Sequence, residues 1–508
     1  MARKLTLLLA LAMLLSIFAY SCDTKGNVKN VTNTTAGGGG GDDDNGLGKY
    51  KEINADGKEV WKITAPVYDG GGYTLNILHR SGGGENNQYG DVDFTYKEAD
   101  DGEPINDAAY RRRVEIEEMY GIKINMILAG NDQHVTRVRN SVSAGDNAFD
   151  ITFNCFFDQG TLSREGLLYD LFEFPNIDLT EPWWDKNMID SASIGTKIYH
   201  AAGDISIHYK KTFTCVFFNK QMLTDLGLES PYKLVEDNQW TIPKVIELCK
   251  PVWDLNPEGA LQSGKLDYYV GMTGYTGTLA QLFTGSMIML SAKNEDNIPE
   301  LAFYSEKSLD AYETIKELMH DRTLFYNFQL GPMTGRDGRT KFVNNETLFL
   351  IVEASYMQVL RAMDTDFGVV PVPKLNPEQP RFSTHLNTRE SQTLSIPVGN
   401  KSYEELEFVG AVVSALATMG KNYLTPAFYE VSLKGKLTRD EDSEGMLDII
   451  FNNVSMDAVR MYNIGKANDA VNNMSSGLVA DFASWWARQE PVFQTDLDKM
   501  IDDYMALE

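Results

Sequence analysis

Apolar and polar positions alternate in a repeating order through the first third of the chain. The stretch YTLNIL (73–78) has the alternation of a strand, and Gly82, Gly83 and Gly84 then open a loop. Residues 107–120 are helical in composition and stop at Gly121, a natural residue for the turn that closes a helix. Ile122, Ile124 and Met126 repeat every second position, which predicts a strand over 122–128. Val135, Val138 and Val142 fall at i, i+3 and i+7, which predicts a helix over 133–143 ended by Gly145. FDITF (149–153) reads as another apolar strand, followed by a short helix over 162–171. Strand and helix in this alternation predict an α/β fold, with a mostly parallel sheet flanked by helices. Ligands of such open sheets bind outside the carboxyl ends of the strands. Those ends are His79 and Arg80 in one case and the run from Asn154 to Phe157 in another.

The pattern changes near residue 199. YHAAGDISIHYKKTFTCVFFNKQML suggests a hairpin at 202–203 and then a β-rich run. Helical patterns follow at 243–249 and 309–318. FLIVEASYMQVL, FGVVPVPKL and QTLSIPVG make a second patch of strands and short helices, and the tail from 404 onward reads as helical almost throughout. No internal repeat is present.

The amino terminus is built differently. Arg3 and Lys4 precede an apolar run over 5–20, which is short for a membrane span of about 20 residues and has the layout of a secretory signal. Ala19 and Ser21 are small, and Cys22 follows them. This resembles the lipobox of bacterial lipoproteins, whose cysteine is acylated and becomes the first mature residue. Ala19 stands where that motif usually has Leu, and Tyr20 is also unusual; an ordinary signal peptide with a chance cysteine is the plainer alternative. The segment after Cys22 is Gly, Asn, Thr and Asp and cannot bury enough apolar surface to fold. Residues 1–21 are therefore expected to be a signal peptide, and 22–69 a lipid anchor and flexible linker. Asp42, Asp43 and Asp44 lack the spacing of a calcium loop.

Removing those parts from 508 residues leaves roughly 440, enough for two or three domains. A formal net charge of −26 argues against nucleic-acid binding and against adsorption to an anionic membrane, so a lipid would have to hold the chain there. Besides Cys22, the cysteines are Cys155, Cys215 and Cys249, widely spaced and without a Cys-x-x-Cys pair. Buried free thiols are the default reading, with one disulfide among them left open.

Four stretches resemble a known family. They are FFNKQMLTDLGL with QWTIPKVIEL, NETLFLIVEASYMQVL with DFGVVPVPKL, SQTLSIPVGNKSYEELEFVGAVVSALAT, and FDITFNCFFDQGTLSREGLLYDL. In order and spacing, over roughly residues 72–490, they resemble the extracellular solute-binding proteins of ATP-driven (ABC) importers, in the sugar-binding group that includes maltose-binding protein. Phe218 stands where the family usually has Tyr. The resemblance implies the two-lobe, type II periplasmic-binding-protein fold, with crossing hinge segments and the ligand trapped between the lobes. Lobe one would be 70–205 plus 340–395, and lobe two 206–339 plus 396–508. It also implies a monomer that works with separate permease subunits and needs no cofactor and no metal.

A sugar site needs flat aromatics for the C–H faces and carboxylates, amides or guanidiniums for the hydroxyls. The candidates are His79 and Arg80 at the end of the first strand, and Phe156 and Phe157 after the third, one of which should be core. Asp204 lies at the expected hairpin, where a plain turn is the other reading. Tyr275 lies in the Gly-rich run GMTGYTGT. Glu353 is a carboxylate inside an apolar run and needs a partner or the cleft, because an unpaired buried charge is costly. Tyr356 follows it on the same face if the run is helical. Trp183 and Trp184 suit either a cleft wall or packing, and Trp240 suits packing.

Enzyme motifs are lacking: there is no His-Glu-x-x-His, no Gly-x-Ser-x-Gly and no phosphate-binding Gly-x-x-x-x-Gly-Lys-Ser/Thr. The expectation is a non-enzymatic receptor, held outside the cell by a lipid on Cys22, that captures a carbohydrate for a permease. A surface glycoside hydrolase and a peptide receptor of the same fold are the alternatives.

Overall fold

The computed structural model describes residues 47–81, 93–94, 103–130, 133–263, 268–330, 337–360, 363–429, 442–477 and 481–507. Cys22, the apolar run before it and the glycine loop at 82–84 lie outside them.

Two sheets organise these residues. The first is built from β1 (Thr74–Arg80), α1 (Pro104–Tyr120), β2 (Lys123–Ala129), α2 (His134–Ala144), β3 (Ile151–Cys155) and α3 (Phe156–Arg164). The second takes β4 (Thr214–Asn219), α4 (Ile242–Trp253), β5 (Val270–Gly274), α5 (Thr278–Gly285), α6 (Glu306–His320), β6 (Phe325–Asn327), β7 (Thr347–Glu353) and β8 (Phe367–Val370). Then come β9 (Gln392–Ser395), α7 (Tyr403–Met419), α8 (Asp442–Asn452), α9 (Ala467–Gly477) and α10 (Phe482–Ala506).

The first sheet has the order β9-β3-β1-β2 and the second β6-β5-β7-β4-β8. Most pairings are parallel. The exceptions are β9 against β3, and β4 against both β7 and β8. β3, β4, β5 and β7 are buried at every position, as expected of strands covered on both faces, where the sequence shows unbroken apolar runs. α1 opens with Pro104, whose fixed φ suits a first helical position, and closes on Gly121 at φ 61°. α7 is buried from Val409 to Met419, and Ser402 caps it reciprocally with Glu405. It lies on the first sheet's side, where Phe408 packs on Tyr73 with ring centroids 5.4 Å apart and the Tyr120 hydroxyl donates to the Ala411 carbonyl (3.3 Å).

α10 bridges the two halves. Its 25 residues span about 37 Å. Near its start, Phe482 stacks on Tyr312 of α6; toward its end, Asp496 and Asp503 pair with Arg164 of α3 at 3.0 and 2.9 Å.

Several expectations change. The helix expected over 162–171 starts earlier, at Phe156, directly from the end of β3. No hairpin forms at 202–203; Gly203 and Ala201 instead make single bridges to Trp184 and Leu394. Half of the expected linker is folded. Lys51–Ile53 and Glu59–Trp61 form a hairpin, and Asn422 bonds both the N–H and the C=O of Trp61, at 2.9 and 2.8 Å. The expected lobe boundaries after 340 do not hold. β7 and β8 pair with β4 in the second sheet, whereas β9 joins β3 in the first and α7 packs beside it. The cause is long-range: antiparallel pairing of β7 and β8 with β4 is invisible in their local apolar pattern. The disulfide left open does not form: Cys155, Cys215 and Cys249 are buried free thiols. Glu353 and Tyr356 do not share a helical face, because Glu353 ends a strand and Ala354–Tyr356 is a 3-10 turn. Among the described residues, no helix is long and apolar enough to cross a membrane.

Candidate functional site

A cavity of about 320 Å³ opens where strand ends from both sheets meet. Phe157, just past β3, contributes from the first sheet, and Tyr275 to Gly277, just past β5, from the second. The segment from His385 to Glu390, which connects β8 to β9, forms one wall. Arg460, Asn468, Asp469 and Asn472 close it from the carboxyl-terminal part.

A hydrogen-bond network fixes the floor. The Tyr275 hydroxyl donates to Glu353 Oε1 (2.5 Å), which also accepts from Asn387 Nδ2 (2.9 Å). With its proton committed to the carboxylate, the phenol oxygen accepts from Gln281 Nε2 (2.9 Å). The same amide nitrogen donates to Thr214 Oγ1 (3.2 Å), and Thr214 stands 3.1 Å from His385 Nδ1. Thr214 thus accepts from Gln281 and gives its own proton to Nδ1. That assignment leaves the proton of the neutral imidazole on Nε2, as a donor. His385 is 5% exposed, and its Nε2 has no hydrogen-bond partner among the described residues. Burial, together with the charge of Arg460, holds its pKa well below the ordinary value and keeps it neutral.

Arg80 supports the wall from behind. It is buried, donates to the Arg389 carbonyl (2.5 Å) and lies 3.5 Å from the Glu390 carboxylate. Burial pushes the Glu390 carboxyl up, and Glu353 adds to that against the pull of Arg80 and Arg389. Burial likewise raises Asp158. Arg460 is half-buried, and burial lowers its pKa. Two of its N–H groups reach Asn468 Oδ1, at 3.3 and 3.2 Å.

The candidates separate on this geometry. Phe157 and Tyr275 line the cavity, Glu353 sits under Tyr275, and Arg80 braces the wall. His79 is fully buried, its Nδ1 2.8 Å from the Arg80 carbonyl, and packs against Phe153 and His208. Phe156 is core, its ring set edge-on against His200. Tyr356 is 2% exposed with the Arg339 guanidinium over its ring at 4.3 Å. These three are not brought to the cavity wall. Sequence reasoning missed His385, Asn387, Arg389, Glu390 and Arg460. The polar run STHLNTRE between two strand patterns was the one available signal for the first four.

Asp204 lies elsewhere. It lines a second cavity of about 360 Å³ with Trp183, Trp184, Phe213, Phe428, Tyr429 and Phe451. Burial alone would raise its pKa, but Lys210 and Lys421 hold it below the usual value; it pairs with both and accepts from Thr425 (2.6 Å). Trp240, also fully buried, donates from Nε1 to the Pro371 carbonyl (2.7 Å), a packing role. Among the described residues, no group of three or more His, Cys, Asp or Glu could hold a metal ion.

No protein-family model matches the sequence, and no curated protein matches it. Solved structures do. A galacto-N-biose/lacto-N-biose I-binding protein of an ABC transporter from Bifidobacterium longum matches with TM-score 0.54 and 12% identity, over 85% of this chain and 98% of that one. A maltose/maltodextrin-binding domain from Bdellovibrio bacteriovorus, bound to maltotriose, matches with TM-score 0.52 and 14% identity, over 84% and 100%. An ABC substrate-binding protein from Listeria monocytogenes, in complex with cycloalternan, matches with TM-score 0.50 and 13% identity, over 86% and 100%. The chain has the type II fold of these proteins, two α/β lobes joined by crossing segments.

Proposed function

We propose that this chain is a receptor that captures a carbohydrate between its lobes and delivers it to the membrane permease of an ATP-driven importer. The observation that carries the reading is the cavity at the strand ends, with one free-standing aromatic face, Phe157, among amides, guanidiniums and carboxylates. Hydroxyl-rich rings need that mixture. Three solved proteins of the same fold hold lacto-N-biose, maltotriose and cycloalternan, which supports a carbohydrate as the guest. Closure would be a hinge motion absorbed at the crossing segments, including 206–213 and the wall at 385–390. Both ends of α10 would have to accommodate it. The receptor would be anchored outside the cell by acyl chains on Cys22 and work as a monomer.

Thermal melts over a panel of oligosaccharides test the reading. A true ligand at about 100 times its dissociation constant should add about 2.7 kcal/mol of stability and be recovered unchanged. Consumption of the sugar would point to the glycoside hydrolase, and stabilisation by peptides alone to the peptide receptor. Cys22→Ala should move the protein from the membrane to the soluble fraction; unchanged membrane association would remove the lipid anchor from the reading.

A further inference from the structure

The cleft's donors and acceptors are not equally engaged. Glu353 Oε1 already takes two donors, and Glu390 faces Arg80. The cations are differently placed. Among the described residues, no carboxylate lies within salt-bridge distance of the Arg389 or Arg460 guanidinium. Arg460 reaches only an amide oxygen, which occupies two of its five N–H donors. Arg460 is partly desolvated and keeps donors over; the buried Asp457 acts on it electrostatically from beyond salt-bridge distance, and an anion at the free N–H groups would give it a direct partner. Beside it, the Nε2 of His385 has no partner, although that side chain is nine-tenths buried. Asp469 also lines the cavity but is exposed, so water answers its charge.

We propose that the guest is an acidic carbohydrate, a uronic-acid unit whose carboxylate sits against Arg460 and accepts a hydrogen bond from Nε2 of His385. The proposal rests on the carbohydrate reading above and names its class. A planar carboxylate matches the fork of a guanidinium, and charge-assisted bonds of this type are about twice as strong as neutral ones. The remaining ring hydroxyls face Asp469 and the amides, and Phe157 takes an apolar face. The net charge of −26 does not oppose this, because exposed charges beyond about 8 Å are screened at physiological salt.

The test uses galacturonate, glucuronate and mannuronate oligosaccharides, their methyl esters, and neutral maltotriose and galactotriose, read by thermal shift and calorimetry on the full chain. The expected result is that at least one acid binds and that its methyl ester, of the same scaffold without the charge, binds tenfold or more weakly. Arg460→Gln should erase the difference between acid and ester, and Arg460→Lys should restore part of it. If Arg460→Gln does not fold, the comparison of acid with ester on the unaltered protein decides alone. Equal binding of acid and ester, or binding of neutral sugars only, overturns the inference and leaves the receptor reading intact. Absence of binding by every sugar at millimolar concentration overturns both.

Discussion

The cleft and the aromatic cavity around Asp204 are similar in size, about 320 and 360 Å³, yet their charged groups are arranged in opposite ways. In the aromatic cavity the buried Asp204 carboxylate is matched by Lys210, Lys421 and Thr425, so its charge is answered within the protein, and the polar atoms left without a hydrogen-bond partner among the described residues are the neutral indole N–H groups of Trp183 and Trp184. In the cleft, among the described residues, the Arg460 side chain feels the buried Asp457 but makes no salt bridge, and Nε2 of His385 has no hydrogen-bond partner. A cavity whose buried charge is answered within the protein has a structural role; one whose cationic side chain keeps free N–H donors is completed by something from outside. Size and aromatic content alone would have favoured the wrong cavity.

The largest expected effect removes the buried carboxylate of the aromatic cavity. Asp204→Asn leaves Lys210 and Lys421 close together without their anion. Loss of one partner of a buried pair costs 3–5 kcal/mol, and the partial exposure of both lysines (20% and 23%) favours the lower end, about 3 kcal/mol. Urea denaturation should show that loss, while folded protein keeps its sugar affinity. A change below about 0.5 kcal/mol would mean that Asp204 is not the structural keystone of its cavity.

The next effect belongs to the cleft. His385 is held neutral in the fold, while its unfolded value is near 6.5. Above pH 6.5 both states are neutral and the group contributes no pH dependence. As pH falls through 6.5, only the unfolded chain takes up the proton, so stability is lost. His385→Gln should therefore flatten the acid limb by about 1.4 kcal/mol per pH unit below 6.5. No histidine lines the aromatic cavity, so Trp184→Phe should leave that slope unchanged. Denaturation at pH 7, 6 and 5 separates the two, and equal slopes for all three proteins would contradict the assignment.

Tyr275→Phe acts on the floor. It removes one donor from the buried Glu353 and the acceptor of one Gln281 bond. A loss of about 1–2 kcal/mol in stability is expected, with sugar affinity reduced several-fold through the displaced carboxylate. Unchanged calorimetric affinity would show that Glu353 and its partners do not shape the cleft.

How much of this was legible in the sequence depends on distance along the chain. Gly121 and Gly145 stop their helices at left-handed φ of 61° and 64°, as their positions after apolar repeats indicate. The alternation of strand and helix through 171, and the resemblance to the solute-binding family, were readable in the same way. The sheet that receives 347–353 and 367–370 was not, because pairing with Thr214–Asn219 spans more than a hundred residues and leaves no local mark. The site followed the same rule. Phe157, Tyr275 and Glu353 were accessible because each stands at or just past the end of a strand pattern. Arg460 and His385 were not, because one lies within a four-residue helix in the tail and the other in a connection. Asp204, beside a glycine as in any turn, belongs to the other cavity because the backbone bends back on Trp183 and Trp184 there.

Phe157 makes the finest test of the contrast. Its neighbour Phe156 is fully buried and packs against His200, whereas Phe157 is half-buried and lines the cleft. Truncating the two should therefore act on different quantities. Phe156→Ala removes a core ring and should cost about 3–5 kcal/mol of stability. Phe157→Ala should cost far less in stability, since part of its surface already meets solvent. Its loss should instead appear in binding. A ring stacked on a sugar face contributes on the order of 0.5–1.5 kcal/mol beyond burial, so affinity should fall by a factor of about 2 to 12. Phe157→Tyr and Phe157→Trp keep a flat face and should restore most of it, whereas Phe157→Leu, which fills space without a ring, should not. If Phe157→Ala binds as tightly as the unaltered protein, no ring in the cleft's first-sheet wall stacks on the guest. The site would then hold its ligand by hydrogen bonds and charge alone, and the contrast with the aromatic cavity would rest on charge and not on stacking.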